Sequence, residues 1–514
     1  MSRTGLLLLK GGGLRVVLVA VQMAMGFFML PFMVAKLGDQ LYGIWAVVGG
    51  IIGAYYLLDL GFTSAVVRYV AQHIQERAHE KTNQVVSTAF AIYCGIAVVV
   101  LLITVGIAVL SEHFVHDPGT GQSVKWLICL MGLTMALNFP FNAFAGIANA
   151  YLRYDLGVYS RLSFNIGTSL LYIVLLTHGY KLISLAVANV VMSVASDVVF
   201  VMIARHLHPT LVVASRFVSR KVARTLFDYS VWAFVSNISA TIRQGIDGMV
   251  IAANLSASAV THYTVGYRLA EYATQLQWQA TNILGPLFTR YHASGNAEEL
   301  RNKVILMTKV NTLLATYCTW MLVLLGGTFI RIWMGPQYGD AYAVLCVVAV
   351  GLGAHLTFNP LSNAMFAIAK PRFIAQIDIV EAFVNLGLSL ILVRYYGILG
   401  VAIGTTVPLL AFAIGARPPI ACRQIQLPLR RYYVAVLPMF AFTTVVTFAS
   451  LEWVEPHLPK NYLALFGIGV AAFPFFALAA LRLFFDRNEV ATLVNQVPKR
   501  LQPFARRLVA SQSP

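Results

Sequence analysis

The amino-acid sequence predicts an all-α integral membrane protein with about fourteen transmembrane helices. Three observations predict it. Of the 514 residues, 59% are hydrophobic and 11% charged, whereas a soluble domain carries about 25% charged residues. Apolar runs of about 20 residues, the length that crosses a hydrocarbon core ~30 Å thick, recur along the whole chain. Lys and Arg gather in alternate connections, so that 28 of the 37 fall on one side of the expected membrane.

The runs occupy residues 16–36, 42–66, 85–109, 125–149, 160–178, 182–203, 228–253, 258–286, 304–329, 341–366, 373–393, 397–416, 432–450 and 461–484, with spans seven and eight the least apolar. The opening "MSRTGLLLLKGGGLR" lacks a small-residue cleavage site and reads as a lead-in to an uncleaved first helix. The opposite side holds six cations: Lys36, Lys125, Lys181, Arg331, Arg394 and Lys460. Arg243, Arg268 and Lys309 lie within spans. This asymmetry places both termini in the cytoplasm. The net charge of +17 is therefore topology rather than a nucleic-acid footprint, because it is scattered over short loops. Cys94, Cys129, Cys318 and Cys346 are fillers in apolar segments, and Cys422 falls in a basic loop. None has metal-ligand spacing and no outside pair can form a disulfide.

Three weak internal matches occur in the same order. Leu37 aligns with Leu255, Pro140 with Pro360, and Leu182 with Ile398, at offsets of 218, 220 and 216. A repeat of six spans, an even number, makes both halves point the same way, related by a pseudo-two-fold axis along the membrane normal with a central cavity between them. The expected organisation is a first six-helix lobe at 1–204, a basic cytoplasmic connector at 205–227, a second lobe at 228–416, spans thirteen and fourteen at 417–485, and an amphipathic basic tail at 486–514. The tail alternates apolar positions with Lys499, Arg500, Arg506 and Arg507, which suits anionic lipid head groups. Pro31, Pro140, Pro360 and Pro408 lie inside spans, where they kink helices either for movement or as static features.

Charges inside the spans mark candidate sites, since a charge at mid-bilayer costs ~3 kcal/mol on insertion scales. Arg243 and Asp247 share a face of span seven; Arg268, Glu271 and Gln275 share a face of span eight. Each Arg–acid pair either neutralises itself or leaves its arginine for a phosphate, which a guanidinium grips through paired hydrogen bonds. Span eight also offers Tyr267, Tyr272, Gln277, Trp278 and Gln279, a set that suits sugar hydroxyls and ring faces or, equally, an amphipathic helix beside water. In span eleven Asp378, Glu381 and Asn385 stack on one stripe with no cation on the same helix face. Such oxygens suit Na⁺ or a proton, with Asp247 a further candidate ligand. The candidate substrate-binding residues are thus Arg243, Arg268, Gln275 and Trp278, and the candidate ion-coupling residues are Asp247, Asp378, Glu381 and Asn385. Asp59 lies near the cytoplasmic end of span two, beside Gly61, where close backbone approach lets it pair with a cation on another helix. Asp59, Gly61, Pro140 and Pro360 are read as gating or structural.

The run "LGDQLYGIWAV…YYLLDLGFTSAVVRYVA", Leu37 to Ala71, resembles the opening of the polysaccharide-transporter branch of the multidrug/oligosaccharidyl-lipid/polysaccharide exporter superfamily, and "YGILGVAIGT", from Tyr396, is a similar family-like stretch. That resemblance implies fourteen spans in two six-helix lobes plus two more. It implies a flippase that passes an undecaprenyl-pyrophosphate-linked oligosaccharide from the cytoplasmic to the outer leaflet of the bacterial inner membrane for cell-surface polysaccharide biosynthesis. It further implies coupling to Na⁺ or H⁺, no cofactor, and lipids and other polysaccharide-assembly proteins as partners. The alternative is a cation-coupled multidrug antiporter of the same superfamily, whose cavity would be acidic and poor in arginine. A membrane enzyme such as a glycan polymerase is disfavoured, because the longest outside loop, Ser111 to Ser123, is short and offers only His113 and His116.

Overall fold

The computed structural model describes residues 3–111, 118–151, 153–281, 284–370 and 372–496, and their side chains except those of 3–17, 118–120, 154, 229, 231–245, 280, 286, 495 and 496. His113, His116 and the tail beyond residue 496 lie outside the described residues. The described chain is helical, without a strand. Ten of its helices are long and apolar enough to cross a membrane by length and composition. The expected spans five, seven and eight are helical too but are not among those ten. Large apolar side chains such as Phe448, Leu463, Phe466 and Phe475 stand exposed on the helix surfaces, as hydrocarbon surroundings permit.

The helices form two compact units, dividing between Thr261 and His262. The first contains α1 (Arg3–Leu37), α2 (Asp39–Ala54), α3 (Phe62–Gln75), α4 (His79–Leu110), α5 (Pro118–Ala150), α6 (Tyr154–Thr177), α7 (Leu182–Leu207), α8 (Arg220–Asn254) and the start of α9 (Ala257–Thr281). Its core is built on Phe62, Val66, Val86, Tyr93, Leu127 and Phe139 from α3, α4 and α5. Pro31 and Pro140 sit inside α1 and α5, which continue as helices through them.

Span two is a broken helix. α2 ends at Ala54 and a 3-10 turn runs from Tyr55 to Asp59. Leu60 (φ 50°) and Gly61 (φ 82°) then take left-handed conformations before α3 begins at Phe62. Gly61 is needed for that backbone, since an L side chain in the left-handed region costs roughly 1–2 kcal/mol.

The connector is shorter than expected and is not loose. α7 continues to Leu207 and α8 begins at Arg220, its first turn capped by the Ser219 side chain accepting from the Val222 amide. Between them the backbone lies along a polar stripe of α4. Asn83 donates to the Thr210 carbonyl and accepts from the Val212 amide, both at 3.1 Å, and the hydroxyls of Ser87 and Thr88 accept from the amides of Ala214 and Ser219. These side chains satisfy backbone groups that no helix or sheet pairs.

The second unit continues with the rest of α9, α10 (Leu284–Ala293), α11 (Ala297–Trp333), α12 (Asp340–Thr357), α13 (Asn359–Ala367), α14 (Arg372–Ala411), α15 (Arg417–Ile425), α16 (Leu429–Trp453), α17 (Tyr462–Phe484) and α18 (Arg487–Gln496). Pro360 occupies the first turn of α13, where a missing N–H costs nothing, so it marks a break rather than a kink within a helix. α14 reverses at Gly397 (φ 57°, ψ −136°) and its second limb passes through a π-turn, Phe412–Ala416, directly into α15. Pro418 lacks the N–H that would close a regular turn there.

Two expectations about the loops and the tail are corrected here. Arg417 and Cys422, expected in a basic loop, are both buried in this helical extension, with Arg417 only 1% exposed. The start of the tail is not free to lie on lipid: Val490 and Val494 of α18 join a core with Leu306, Leu313, Met439 and Phe476. Lys309 of α11, read as a cation stranded in a span, meets Glu489 at 2.7 Å and stands over the Phe485 ring.

Candidate functional site

A cavity of about 740 Å³ opens in the first unit, walled by α1, α2, α5, α6 and α7. That volume is within the ~300–1,000 Å³ usual for small-ligand sites. Four of those helices are among the ten span-length ones, yet the wall is rich in amides and hydroxyls, including Asn138, Asn142, Asn165, Asn189, Ser193 and Ser196. Tyr56 and Phe200 contribute ring faces, and Arg161 and Asp197 contribute charge.

Part of this polar set is spent on holding the wall. Ser193 donates to Asn138 at 2.5 Å, and Asn189 donates to the Tyr172 hydroxyl at 2.5 Å and to the Leu185 carbonyl at 3.2 Å. Asp197 Oδ2 is buried with no hydrogen-bond partner, a costly state for a carboxylate oxygen. Arg161 is exposed and lines the same cavity, where a guanidinium offers five donors in a planar fork. Sequence reasoning passed over both. Arg161 was counted with the cytoplasmic cations, and Asp197, the lone charge of span six before its basic end, carried a signal that was not used.

The residues singled out from the sequence fall elsewhere. Arg243 lies in α8, its side chain outside the described residues; Asp247, one turn on, is buried and has its own interactions. On α9, Arg268 pairs with Glu271 at 2.6 Å and Gln275 donates to the same carboxylate at 3.2 Å. Gln277 points inward and donates to the carbonyl and side-chain oxygen of Asn311, while Trp278 is 55% exposed on the helix surface. The structure therefore brings Arg268, Glu271 and Gln275 together but spreads the rest of that expected mixture over different faces.

Asp378 and Glu381 of α14 come together, and a cation joins them from outside their helix face. Arg417 Nη2 lies 2.7 Å from Asp378 and 2.5 Å from Glu381. Asn385, further along the stripe, is buried with its Nδ2 unpartnered. Asp59, expected to pair with a cation, is met instead by neutral groups: the hydroxyls of Tyr93 and Thr63 donate to it at 2.6 and 2.9 Å. Among the described residues no group of three or more acidic, His or Cys side chains is arranged to hold a metal ion.

The candidate site is thus a polar cavity inside a bundle of span-length helices, an arrangement that suits a polar solute within a membrane. The chain belongs to the polysaccharide biosynthesis protein family, which matches residues 36–343. It is 24% identical over 389 residues to the uncharacterized membrane protein EpsK of Bacillus subtilis, covering 74% of this chain and 77% of that one. It is 23% identical over 398 residues to a putative O-antigen transporter of Shigella flexneri, covering 75% and 91%. Among solved structures, the lipid II flippase MurJ in an inward closed conformation has the same fold, with a TM-score of 0.71 over 91% of this chain and 98% of MurJ at 13% identity.

Proposed function

We propose that the protein is a flippase that carries an undecaprenyl-pyrophosphate-linked oligosaccharide from the cytoplasmic to the outer leaflet by alternating access. The single observation that carries this reading is the cavity of the first unit. Its amides and hydroxyls match sugar hydroxyls, its rings match sugar faces, and Arg161 offers an anion partner for the diphosphate. The O-antigen transporter among the relatives and the lipid II flippase fold support the same substrate class. The membrane is the bacterial cytoplasmic (inner) membrane, with both termini inside; the Lys and Arg asymmetry supports this orientation even with Arg417 removed from the count. Other polysaccharide-assembly proteins are the expected partners. Coupling to H⁺ or Na⁺ is part of the proposal, with Asp197 its first-unit carboxylate.

A second reading rests on Asp197 as well, since an uncommitted carboxylate oxygen suits the organic cation of a small-molecule antiporter. One experiment separates them. In proteoliposomes with a fluorescent undecaprenyl-pyrophosphate disaccharide, wild type should move the label between leaflets and Arg161→Ala should slow it about tenfold or more, the loss of a charge-assisted contact of ~1.5–3 kcal/mol. Unchanged movement by Arg161→Ala would remove the cavity from the mechanism. No movement by wild type, together with export of an organic cation that Asp197→Asn abolishes, would establish the antiporter.

A further inference from the structure

The second unit contains a charge cluster that the transport reading does not use. Arg417, at the start of α15, is buried to the same degree as Glu381, each 1% exposed. Its Nη2 reaches Asp378 and Glu381 on the first limb of α14, and its Nη1 lies 2.6 Å from His355 Nδ1 on α12. A guanidinium only donates, so that imidazole nitrogen accepts, and His355 is neutral with its proton on Nε2. The Phe358 ring lies 5.7 Å from the guanidinium carbon. One buried cation thus ties the ends of α12 and α15 to the acidic stripe of α14.

We propose that Arg417 is the resident counter-ion of Asp378 and Glu381 and fills the place a coupling metal cation would need on that stripe. A Na⁺ ion held by these two carboxylates would stand beside a guanidinium nitrogen already within 2.7 Å of both, with like charges in a medium of low dielectric. The donor set therefore does not fit a metal ion while Arg417 is in place. The π-turn at Phe412–Ala416 is the local device that delivers the arginine: it shifts the helix register just before Arg417, and Pro418 fixes the shift. The inference holds whatever the transported molecule is, because it concerns ion binding and not movement of a substrate.

The test is thermal unfolding of the purified full-length protein in detergent, in NaCl against choline chloride at equal ionic strength. Wild type should show no Na⁺-specific rise in Tm that depends on Asp378 or Glu381. Arg417→Gln, which uncovers the two carboxylates, should have a lower Tm in choline and recover part of it in NaCl. A Na⁺-specific rise in wild type that Asp378→Asn or Glu381→Gln abolishes would overturn the proposal. So would an Arg417→Gln protein that folds and gains nothing from Na⁺. If Arg417→Gln does not fold, the comparison of wild type with Asp378→Asn and Glu381→Gln still decides.

Discussion

Tyr93 of α4 donates its hydroxyl proton to Asp59, at the end of the 3-10 turn in span two, over 2.6 Å. Thr63, the second residue of α3, donates to the same oxygen at 2.9 Å. The carboxylate is satisfied by neutral hydroxyls exactly where the helix breaks, so its place in an apolar segment is that of a clamp. It joins the two limbs of the broken span to α4.

Removing the Tyr93 hydroxyl tests that clamp. Tyr93 is fully buried, so Tyr93→Phe leaves Asp59 short of a donor without opening a cavity. The expected loss is ~1–3 kcal/mol, read as a lower Tm in detergent. Asp59→Ala should cost at least as much, because it removes the shared acceptor and leaves the two hydroxyls only their 2.9 Å contact with one another. If Tyr93→Phe unfolds at the wild-type temperature, the clamp is idle.

Gly43 of α2 separates packing from helix propensity. A Cβ there would fall on the carbonyl oxygen of Ala257, at the start of α9, whereas at Gly49 a Cβ meets nothing within 4 Å. Thr261 returns the contact by donating to the Asp39 carbonyl at 2.7 Å. Gly43→Ala should therefore abolish or strongly lower the yield of folded protein. Gly49→Ala should be tolerated, with up to ~1 kcal/mol gained from helix propensity. Equal yields of the two variants would remove the close approach.

Lys309 and Glu489 hold α18 against α11. Either Lys309→Met or Glu489→Gln leaves one mostly buried charge without its partner, at an expected cost of about 1.5–3 kcal/mol. Limited proteolysis should then release the C-terminal segment faster than in wild type. Exchanging the two charges should restore part of the protection, and a swap no better than either single change would argue against pairing.

His208, just beyond α7, gives the connector a pH dependence. Its Nδ1 lies 2.8 Å from the Tyr151 hydroxyl and its Nε2 3.2 Å from the Thr210 hydroxyl. Burial first, and the neighbouring His79 second, hold it below the usual histidine value of 6.5. Between the folded value and 6.5 the unfolded chain binds more protons than the folded one, so stability rises with pH across that window and is lost as the pH falls through it. Scanning Tm from pH 7.5 to 5 should show this loss, and His208→Gln should flatten it. A slope unchanged in the variant would assign it to other groups.

Much of the fold was legible because hydrocarbon demands long apolar helices, and that demand is written locally. The ten span-length helices lie where the apolar runs predicted them. Span two, expected as one run over 42–66, breaks at Gly61, a glycine that the sequence reading took only as allowing close backbone approach. The site was less legible. Asp197 could have been found as a charge inside span six, but nothing in its neighbourhood shows that one of its oxygens lacks a partner. Arg417 read as a loop residue, because "ARPPIACRQIQLPLRR" carries three prolines and four arginines. Only the π-turn and the helix beyond it place that arginine in the interior.

The sequence by itself determined that this is a multi-pass helical membrane protein, because partition into a bilayer depends on composition along the chain. The tertiary structure decided which charges are spent on one another and which are left for a ligand. Asp378 and Glu381 look equivalent to Asp197 as acids in apolar helices. They differ because a guanidinium 36 residues further along the chain than Glu381 folds back within 2.5 Å of it, while Asp197 keeps a buried oxygen with no hydrogen-bond partner beside the cavity. Pairing is set by distances in space, and those follow from helix packing.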